Sequence, residues 1–161
     1  MQFAKSTDYA LHALVHLAKS EREDKIGIKE LSNMLDVSES YLSKIMTQLR
    51  KDGIVRAVPG VKGGYELSRS ASHITFLDVI LSTEGRQQMF TCSNSNSRQH
   101  TSLTDVSNGQ LMDIEEKQGV CKIKEVMDNA ENALHHYLKN HSIQSILDKA
   151  NKDCNNHLQK E

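Results

Sequence analysis

The sequence predicts a mainly α-helical fold with one small β-hairpin, a fold class supported by three features. Apolar residues recur at three- and four-residue intervals in several stretches, as they do along one face of an α-helix. Two of these stretches, around residues 31–35 and 42–49, are separated only by a short polar turn. Two short β-prone runs with glycines between them follow directly. These features predict a winged helix-turn-helix, followed by a long C-terminal dimerisation helix that begins at residue 121.

The helix-turn-helix is the best-defined part of this pattern. Leu31, Met34 and Leu35 give its first helix an apolar stripe. Ser38 suits the amino-terminal cap of the second helix, and Gly53 suits the left-handed residue that follows a helix end. The inward-facing residues predicted for the second helix are Leu42, Ile45, Met46 and Leu49. The opposite face of that helix is therefore predicted to be exposed.

Hydroxyl, amide and cationic side chains occupy this exposed face, and such groups read base edges and bind phosphates in double-stranded DNA. The hairpin that follows is predicted to be a wing whose tip offers backbone N–H groups and one cation. Phosphate contacts are assigned to Arg50, Lys51, Arg56 and Lys62. The remaining predicted DNA contacts are Ser38, Ser40, Tyr41, Ser43, Lys44, Gln48, Gly63 and Gly64.

The distribution of charge favours a nucleic-acid partner for this region. The whole chain carries a formal net charge of -1. Between Glu39 and Arg69, six basic side chains outnumber three acidic ones. Between Asp105 and Glu131 the balance reverses, with seven acidic and three basic side chains. A locally basic surface on a nearly neutral chain is typical of a regulator that binds DNA reversibly.

An amphipathic helix is predicted from about Thr7 to Lys19, with Thr7 as its cap. Asp8, His12 and His16 recur every four residues on the flank of its apolar stripe. Successive members of this series lie about one helical turn apart. Taken alone, the spacing fits an aspartate–histidine pair on a solvated helix face.

The three cysteines are Cys92, Cys121 and Cys154, and the chain shows neither a signal peptide nor an apolar run of bilayer length. We therefore expect a cytoplasmic protein without a membrane partner, whose thiols act as ligands or sensors and not in structural disulfides. Cys92 opens a long polar loop, whereas Cys121 opens a helix. Cys154 lies in a polar tail and is assigned no role.

The predicted organisation has three parts: a DNA-binding domain over 1–82, a sensor loop over 83–120, and a dimerisation helix with a tail over 121–161. An apolar stripe runs through residues 121–140 and has little to pack against in its own subunit. The same helix of a second subunit is the predicted partner, which makes a homodimer. Packing inside the same subunit is the alternative. A short final helix is predicted over 142–147, before the polar tail.

Three segments carry a resemblance to a known family: Thr7–Leu14, Ser38–Ile45 and Gly60–Leu67. Over about Met1 to Leu147 the chain resembles the Rrf family of bacterial winged-helix regulators. The first segment is most similar to the nitric-oxide-sensing members. This resemblance implies a dimeric transcriptional repressor that binds a palindromic operator. It also implies sensing of redox, nitric-oxide or iron–sulfur status.

Members of that family with iron–sulfur clusters usually carry three closely spaced cysteines in the loop before the dimer helix. This chain departs from that pattern, because no third cysteine lies between Cys92 and Cys121. It is more similar to a redox-sensing member in which two cysteines of one subunit, and an aspartate and a histidine of the other, hold a 2Fe-2S cluster. That resemblance implies Asp8, His12, Cys92 and Cys121 as the ligands.

Other interpretations of these residues stay open. A thiol switch would close a disulfide between Cys92 and Cys121 under oxidant stress, and zinc would accept the same ligands. His100 is a candidate to replace one ligand, and a chain without any sensor is the simplest alternative. An enzyme with Cys121 as nucleophile has no supporting motif, so no small-molecule substrate is expected. A helical scaffold protein is disfavoured by the glycine-rich wing and the local positive charge.

Overall fold

The computed structural model of this protein describes residues 2–20, 25–60, 63–93 and 121–158, with side chains described as far as residue 152. The helices are α1 (Lys5–Lys19), α2 (Ile28–Met34), α3 (Glu39–Lys51), α4 (Phe76–Thr83), α5 (Lys122–Lys139) and α6 (Ile143–Leu158). The strands are β1 (Val55–Val58) and β2 (Gly64–Leu67). None of the described helices is both long and apolar enough to cross a membrane.

The chain divides into two units. The first, here called the winged unit, contains Met1–Arg86 together with Tyr137–Glu161, and the second contains Gln87–His136. In the winged unit, α1 packs on α3, α4 and α6 around one apolar core. The largest fully buried apolar side chains of this core are Leu14, Leu31, Leu42, Met46, Leu49, Ile54, Val55, Ile74, Val79 and Ile143. Because five helices contribute to it, this core fixes the position of α3.

The helix-turn-helix forms for the local reasons that its sequence provides. The Ser38 hydroxyl accepts a hydrogen bond from the Tyr41 backbone N–H at 3.4 Å and caps α3. Gly53 follows α3 with φ of 67°, a conformation that costs glycine little. All four apolar residues predicted to face inward from α3 are buried. In α2 the prediction fails for Met34, whose side chain is 47% exposed.

The predicted wing is confirmed as an antiparallel hairpin in which Arg56 lies opposite Glu66 and Val58 lies opposite Gly64. Ile26 adds an isolated bridge to Tyr65 at the edge of this hairpin. A side chain at Gly64 would meet the Ile26 backbone at 2.7 Å, so the glycine permits this close pairing. The two strands of the hairpin are therefore extended by a single bridging residue, which lies just before α2.

Two helix ends differ from the prediction. Helix α1 begins at Lys5, and Thr7 is a buried residue inside it, so Thr7 is not its cap. The final helix runs from Ile143 to Leu158, well beyond the short segment predicted over 142–147, and the predicted polar tail is largely helical. Its first residue, Ile143, is fully buried in the winged unit. The Ile143 N–H also donates to the Ile74 carbonyl at 2.9 Å, which holds the start of the helix there.

Candidate DNA interface and sensor residues

The outward face of α3 carries a straight line of exposed polar side chains. Ser40, Lys44 and Lys51 lie on the side opposite the buried stripe and are all exposed. Thr47 lies on the same line, but its hydroxyl donates to the Ser43 carbonyl at 2.7 Å. The two lysines are therefore placed to reach phosphates, while one hydroxyl of this face is already occupied. The predicted contacts Ser38 and Arg50 are exposed on the flanks.

The side chain of Tyr41 packs against α1 and is also partly exposed to solvent. Its ring meets the ring of Tyr9 on α1 edge to face, with centroids 5.9 Å apart and planes at 83°. The side chain is 37% exposed, so its edge still faces solvent. Tyr41 thus links the amino-terminal turn of the predicted reading helix to α1.

Gln48 is held by a neighbour that the sequence did not reveal. Its amide nitrogen Nε2 donates to Asp52 Oδ2 at 3.2 Å, one turn further along the helix. The same carboxylate oxygen accepts a hydrogen bond of 2.5 Å from the hydroxyl of Ser82 on α4. Ser82 is buried and Gln48 is exposed, so the chain of contacts runs from the protein interior to the outward side of α3.

The wing residues are constrained by the fold. Arg56 Nε lies 2.6 Å from Glu66 Oε1 across the hairpin, so its guanidinium is paired in the free protein. A side chain at Gly63 would overlap the backbone of Val58 and Gly60, which explains a glycine there without reference to DNA. Lys62 lies outside the described residues. Phosphate contacts by Arg56 and Lys62 therefore stay predictions.

Arg69 has a positioning role that was missed at the sequence level, where it counted only as one positive charge. Its guanidinium donates to the carbonyls of Gly53 and His73, at 3.4 and 3.0 Å, and to Asp78 Oδ2 at 3.1 Å. Asp78 also forms the capping box of α4 with Thr75. These contacts tie the end of α3 to the start of α4.

The predicted ligands Asp8 and His12 lie side by side on α1. His12 Nδ1 is 3.2 Å from Asp8 Oδ1, and the two side chains are 65% and 67% exposed. This nitrogen also lies 3.0 Å from the Asp8 carbonyl, which leaves Nε2 directed away from the pair. Burial lowers the pKa of His16 on the next turn, and the charges of Lys19 and His12 lower it further. His16 is therefore neutral over a wider pH range than an ordinary histidine.

Helix α1 is joined to α4 immediately beside this pair. The Thr7 hydroxyl, only 2% exposed, donates to Glu84 Oε1 at 2.5 Å and shares a hydrogen bond of 2.7 Å with Thr83. The Ala4 N–H donates to the same glutamate oxygen at 2.7 Å. Glu84 thus holds the amino terminus of α1, a role that no local sequence pattern indicated.

Cys92 and Cys121 come together in the Gln87–His136 unit. Cys121 precedes α5, and the backbone N–H of Lys124 donates to its sulfur and lowers the pKa of the thiol. The N–H of Ile123 and the thiol of Cys92 act in the same direction, while burial opposes them. Cys121 is 5% exposed, and both cysteines are free thiols. A hydrogen-bonded thiol pair at a helix amino terminus is suited to metal binding or to oxidation.

The four predicted ligands thus form two pairs: Asp8 with His12 in the winged unit, and Cys92 with Cys121 in the Gln87–His136 unit. Among the described residues, no group of three or more histidine, cysteine or carboxylate side chains is arranged to hold a metal ion. His100 lies outside the described residues, and no side-chain environment is described for Cys154. Each pair contains two of the four predicted ligands, and their assignment as ligands stays a prediction.

Comparison with known families decides the identity of the fold. The profile of the Rrf2 family, described as iron-dependent transcriptional regulators, matches residues 3–149. The chain belongs to the Rrf2 family. The match covers α1 to α5, the wing and the start of α6, and it confirms the resemblance noted from three short segments of the sequence.

Individual relatives extend the agreement over the length of the chain. An HTH-type regulator designated YffB in Lactococcus lactis is 29% identical over 159 residues, covering 96% of this chain and 92% of that protein. The HTH-type transcriptional regulator NsrR of Halalkalibacterium halodurans is 25% identical over 147 residues, covering 91% of this chain and 90% of that protein. Both relatives bear the names of transcriptional regulators.

A solved structure shows the same fold. The structure of CymR, described as the global cysteine regulator of Bacillus subtilis, superimposes with a TM-score of 0.65 at 20% identity, covering 91% of this chain and 95% of that one. The predicted winged helix-turn-helix is thereby confirmed. This Rrf2-family chain is a transcriptional regulator and not an enzyme.

Proposed function

We propose that this Rrf2-family protein is a cytoplasmic, homodimeric repressor that binds a palindromic operator with α3 in the major groove. The observation that carries this proposal is the line of Ser40, Lys44 and Lys51 on the outward face of a helix whose inward face holds the core. A rigidly held helix with short polar and cationic side chains can read bases and bind phosphates together. In a two-fold dimer, two such helices would meet half-sites about 34 Å apart.

The second subunit is proposed to pack on α5. The described part of this helix contains no buried residue, although its apolar side chains recur at helical spacing. Ile123, Val126 and Tyr137 are 52, 67 and 63% exposed in the single chain. A contiguous apolar stripe of this kind normally lies in an interface. A second copy of the same helix is the partner that a two-fold dimer supplies.

DNA binding is tested by two substitutions on the same helix. Lys44→Ala is expected to weaken binding on every sequence and to make it less dependent on salt, because a phosphate contact is lost. Gln48→Ala is expected to relax preference at one or two base pairs and to leave binding to other sequences nearly unchanged. Fluorescence anisotropy over a salt series measures both effects. Identical behaviour of the two variants would contradict the assignment.

For the sensor, we propose that Asp8 and His12 of one subunit and Cys92 and Cys121 of the other hold a 2Fe-2S cluster. Two observations support the fit. The cysteine pair is already assembled, and hydrogen bonds to Cys121 stabilise its thiolate. The Asp8–His12 pair is exposed and therefore accessible to another subunit. The two pairs together supply the four ligands that two irons require.

The side chains prepare this site before any metal binds. Asp8 engages His12 through Nδ1, so the Nε2 atom is the nitrogen left for a ligand bond. The Lys124 and Ile123 N–H groups offset the negative charge of the Cys121 thiolate. When bound, a cluster with fewer thiolate ligands supplies a one-electron redox centre of higher potential than one held by four cysteines.

Anaerobic purification, an absorption spectrum, and iron and sulfide counts test this proposal. The wild type is expected to be coloured, and the variants Asp8→Ala, His12→Ala, Cys92→Ala and Cys121→Ala are expected to lose iron and sulfide. His16→Ala is the matched control, since it removes an imidazole one turn from His12 and should retain the cluster. A colourless wild type after anaerobic reconstitution would rule out the cluster. Zinc in its place would be found by metal analysis.

The contact between the two thiols favours a second candidate, a cluster-free thiol switch. The Cys92 thiol already hydrogen-bonds to Cys121, whose pKa is lowered, so the more nucleophilic sulfur has a partner in reach. With a peroxide, Cys121 would form a sulfenic acid and release one water or alcohol. Attack by Cys92 would then form the disulfide and release a water. The two sulfurs together lose two electrons to the peroxide.

Mass spectrometry of protein treated with hydrogen peroxide distinguishes the two candidates. The switch predicts a Cys92–Cys121 disulfide in metal-free wild type, together with altered operator binding that a thiol reductant reverses. Cys154→Ala is the matched control and should behave like the wild type. If the metal-free protein forms the disulfide without any change in operator binding, the switch is excluded as the sensor.

A further inference from the structure

Asp52 stands at a position where helix energetics do not favour a carboxylate. It follows the last turn of α3, where the helix dipole is negative, and the last turn itself carries Arg50 and Lys51 as expected. If α3 binds DNA as proposed, this end of the helix also lies near DNA phosphates, which repel a carboxylate. Its location is therefore explained by its specific contacts and not by helix stability.

The carboxylate is fixed from the protein interior. Ser82 on α4 is only 7% exposed, and its hydroxyl donates to Asp52 Oδ2 at 2.5 Å. A buried hydroxyl without a partner is unfavourable, so this hydrogen bond is strongly retained. Asp52 is therefore held in one orientation by a residue that lies thirty positions away in sequence.

This arrangement determines which way the Gln48 amide points. An ionised carboxylate only accepts hydrogen bonds, so the Gln48 nitrogen must face Asp52, at 3.2 Å, and the amide oxygen must face away. One N–H of the amide remains free beside that oxygen. A free acceptor next to a free N–H matches the N6 donor and N7 acceptor of adenine in the major groove.

We propose that Asp52 and Ser82 are positioning residues that orient the Gln48 amide and thereby set a preference for adenine at one base pair of each half-site. This inference rests on the proposed function, since it requires α3 to read DNA. Neither residue needs to contact DNA. Without Asp52, the Gln48 amide rotates freely and its oxygen and nitrogen exchange places.

Selection from a pool of randomised double-stranded DNA, using the full-length protein, tests the proposal. The site recovered with wild type is then varied one base pair at a time, and affinities are measured by fluorescence anisotropy. Gln48→Ala should lose about tenfold discrimination for adenine at one position of each half-site. Asp52→Ala and Ser82→Ala should lose discrimination at that same position, because the acceptor for the Gln48 amide, or the hydroxyl that holds this acceptor, is removed. The double variant of Gln48→Ala with Asp52→Ala should lose no more than Gln48→Ala alone.

Glu39→Gln is the matched control for charge, because it removes one carboxylate from the other end of α3. It should change affinity for all sequences alike and keep the adenine preference. Ser82→Ala alters no charge and therefore remains informative if Asp52→Ala folds poorly. The inference, but not the proposed function, would be overturned if both positioning variants kept the wild-type adenine preference. A loss of affinity that is equal on all sequences would overturn it as well. A wild type that selects no sequence would instead overturn the proposed function.

Discussion

Helices α3 and α5 carry equally regular apolar stripes, yet these stripes meet opposite environments. Leu42, Ile45, Met46 and Leu49 of α3 are all buried in the winged unit. The described side chains of α5 include none that is buried, and Val126 is 67% exposed. Periodicity therefore identifies the face that a helix buries, but it does not identify the partner. For α3 the partner is in the same chain, whereas for α5 we propose a second copy.

The largest effect is expected from the inward face of α3. Leu42→Ala should lower the free energy of unfolding by about 2–5 kcal/mol, because a fully buried side chain is replaced by a cavity. Urea unfolding followed by circular dichroism, at fixed protein concentration, measures this loss. Lys44→Ala, on the exposed face of the same helix, should stay within about 0.5 kcal/mol of wild type. Equal losses in the two variants would break the distinction between the faces.

A smaller but selective effect is expected from α5. Val126→Lys should weaken dimerisation by about 2 kcal/mol, roughly thirtyfold, because a cation would enter the apolar interface. The fold of the winged unit should survive, so circular dichroism should be nearly unchanged. Sedimentation equilibrium over a range of protein concentrations measures the dissociation constant. Asn132→Lys is the matched control, because it adds the same charge at an exposed position on the opposite side of α5.

Two results would contradict the role of α5. One is a Val126→Lys variant that remains as dimeric as the wild type. The other is equal weakening by Asn132→Lys, which would mean that charge in general, and not the apolar stripe, controls association.

The smallest effect concerns the thiol pair at the start of α5. The Lys124 N–H, assisted by Ile123 and Cys92, keeps the pKa of Cys121 below its ordinary value. More thiolate is therefore present at neutral pH than in an ordinary cysteine, and the rate of alkylation should reach its plateau at lower pH. In metal-free Cys92→Ala one hydrogen-bond donor to Cys121 is lost, so this pH profile should move to higher pH. Iodoacetamide labelling with mass spectrometry gives the rate at each pH. An unchanged profile would show that Cys92 does not assist.

Local signals explain what the sequence predicted well. Ser38 and Gly53 each act at the end of their own helix, through contacts or conformations set by residues at most a few positions away, so their roles were visible in the sequence. The hairpin of the wing was likewise predicted from local features, namely two short β-prone runs with glycines between them. The buried stripe of α3 followed from helical periodicity alone.

Contacts between distant segments explain what was missed. Thr7 suited a cap by composition, but a hydrogen bond to Glu84 buries it inside α1. Ser82 meets Asp52 only because α4 packs on α3. Met34 continued the stripe of α2 by spacing, but it is the last residue of that short helix and its side chain is largely exposed. Helical spacing placed Asp8 beside His12, as the structure has them, but the assignment of this pair and the two cysteines as ligands stays a prediction.

A mixed dimer tests most directly whether two subunits share one sensor site. One chain would carry Asp8→Ala and His12→Ala, and its partner would carry Cys92→Ala and Cys121→Ala, with different affinity tags for joint purification under anaerobic conditions. If ligands come from both subunits, this heterodimer keeps one complete site and binds half the iron and sulfide of the wild-type dimer, while neither variant homodimer binds any. A heterodimer without iron and sulfide, beside an iron-loaded wild type, would contradict the shared site.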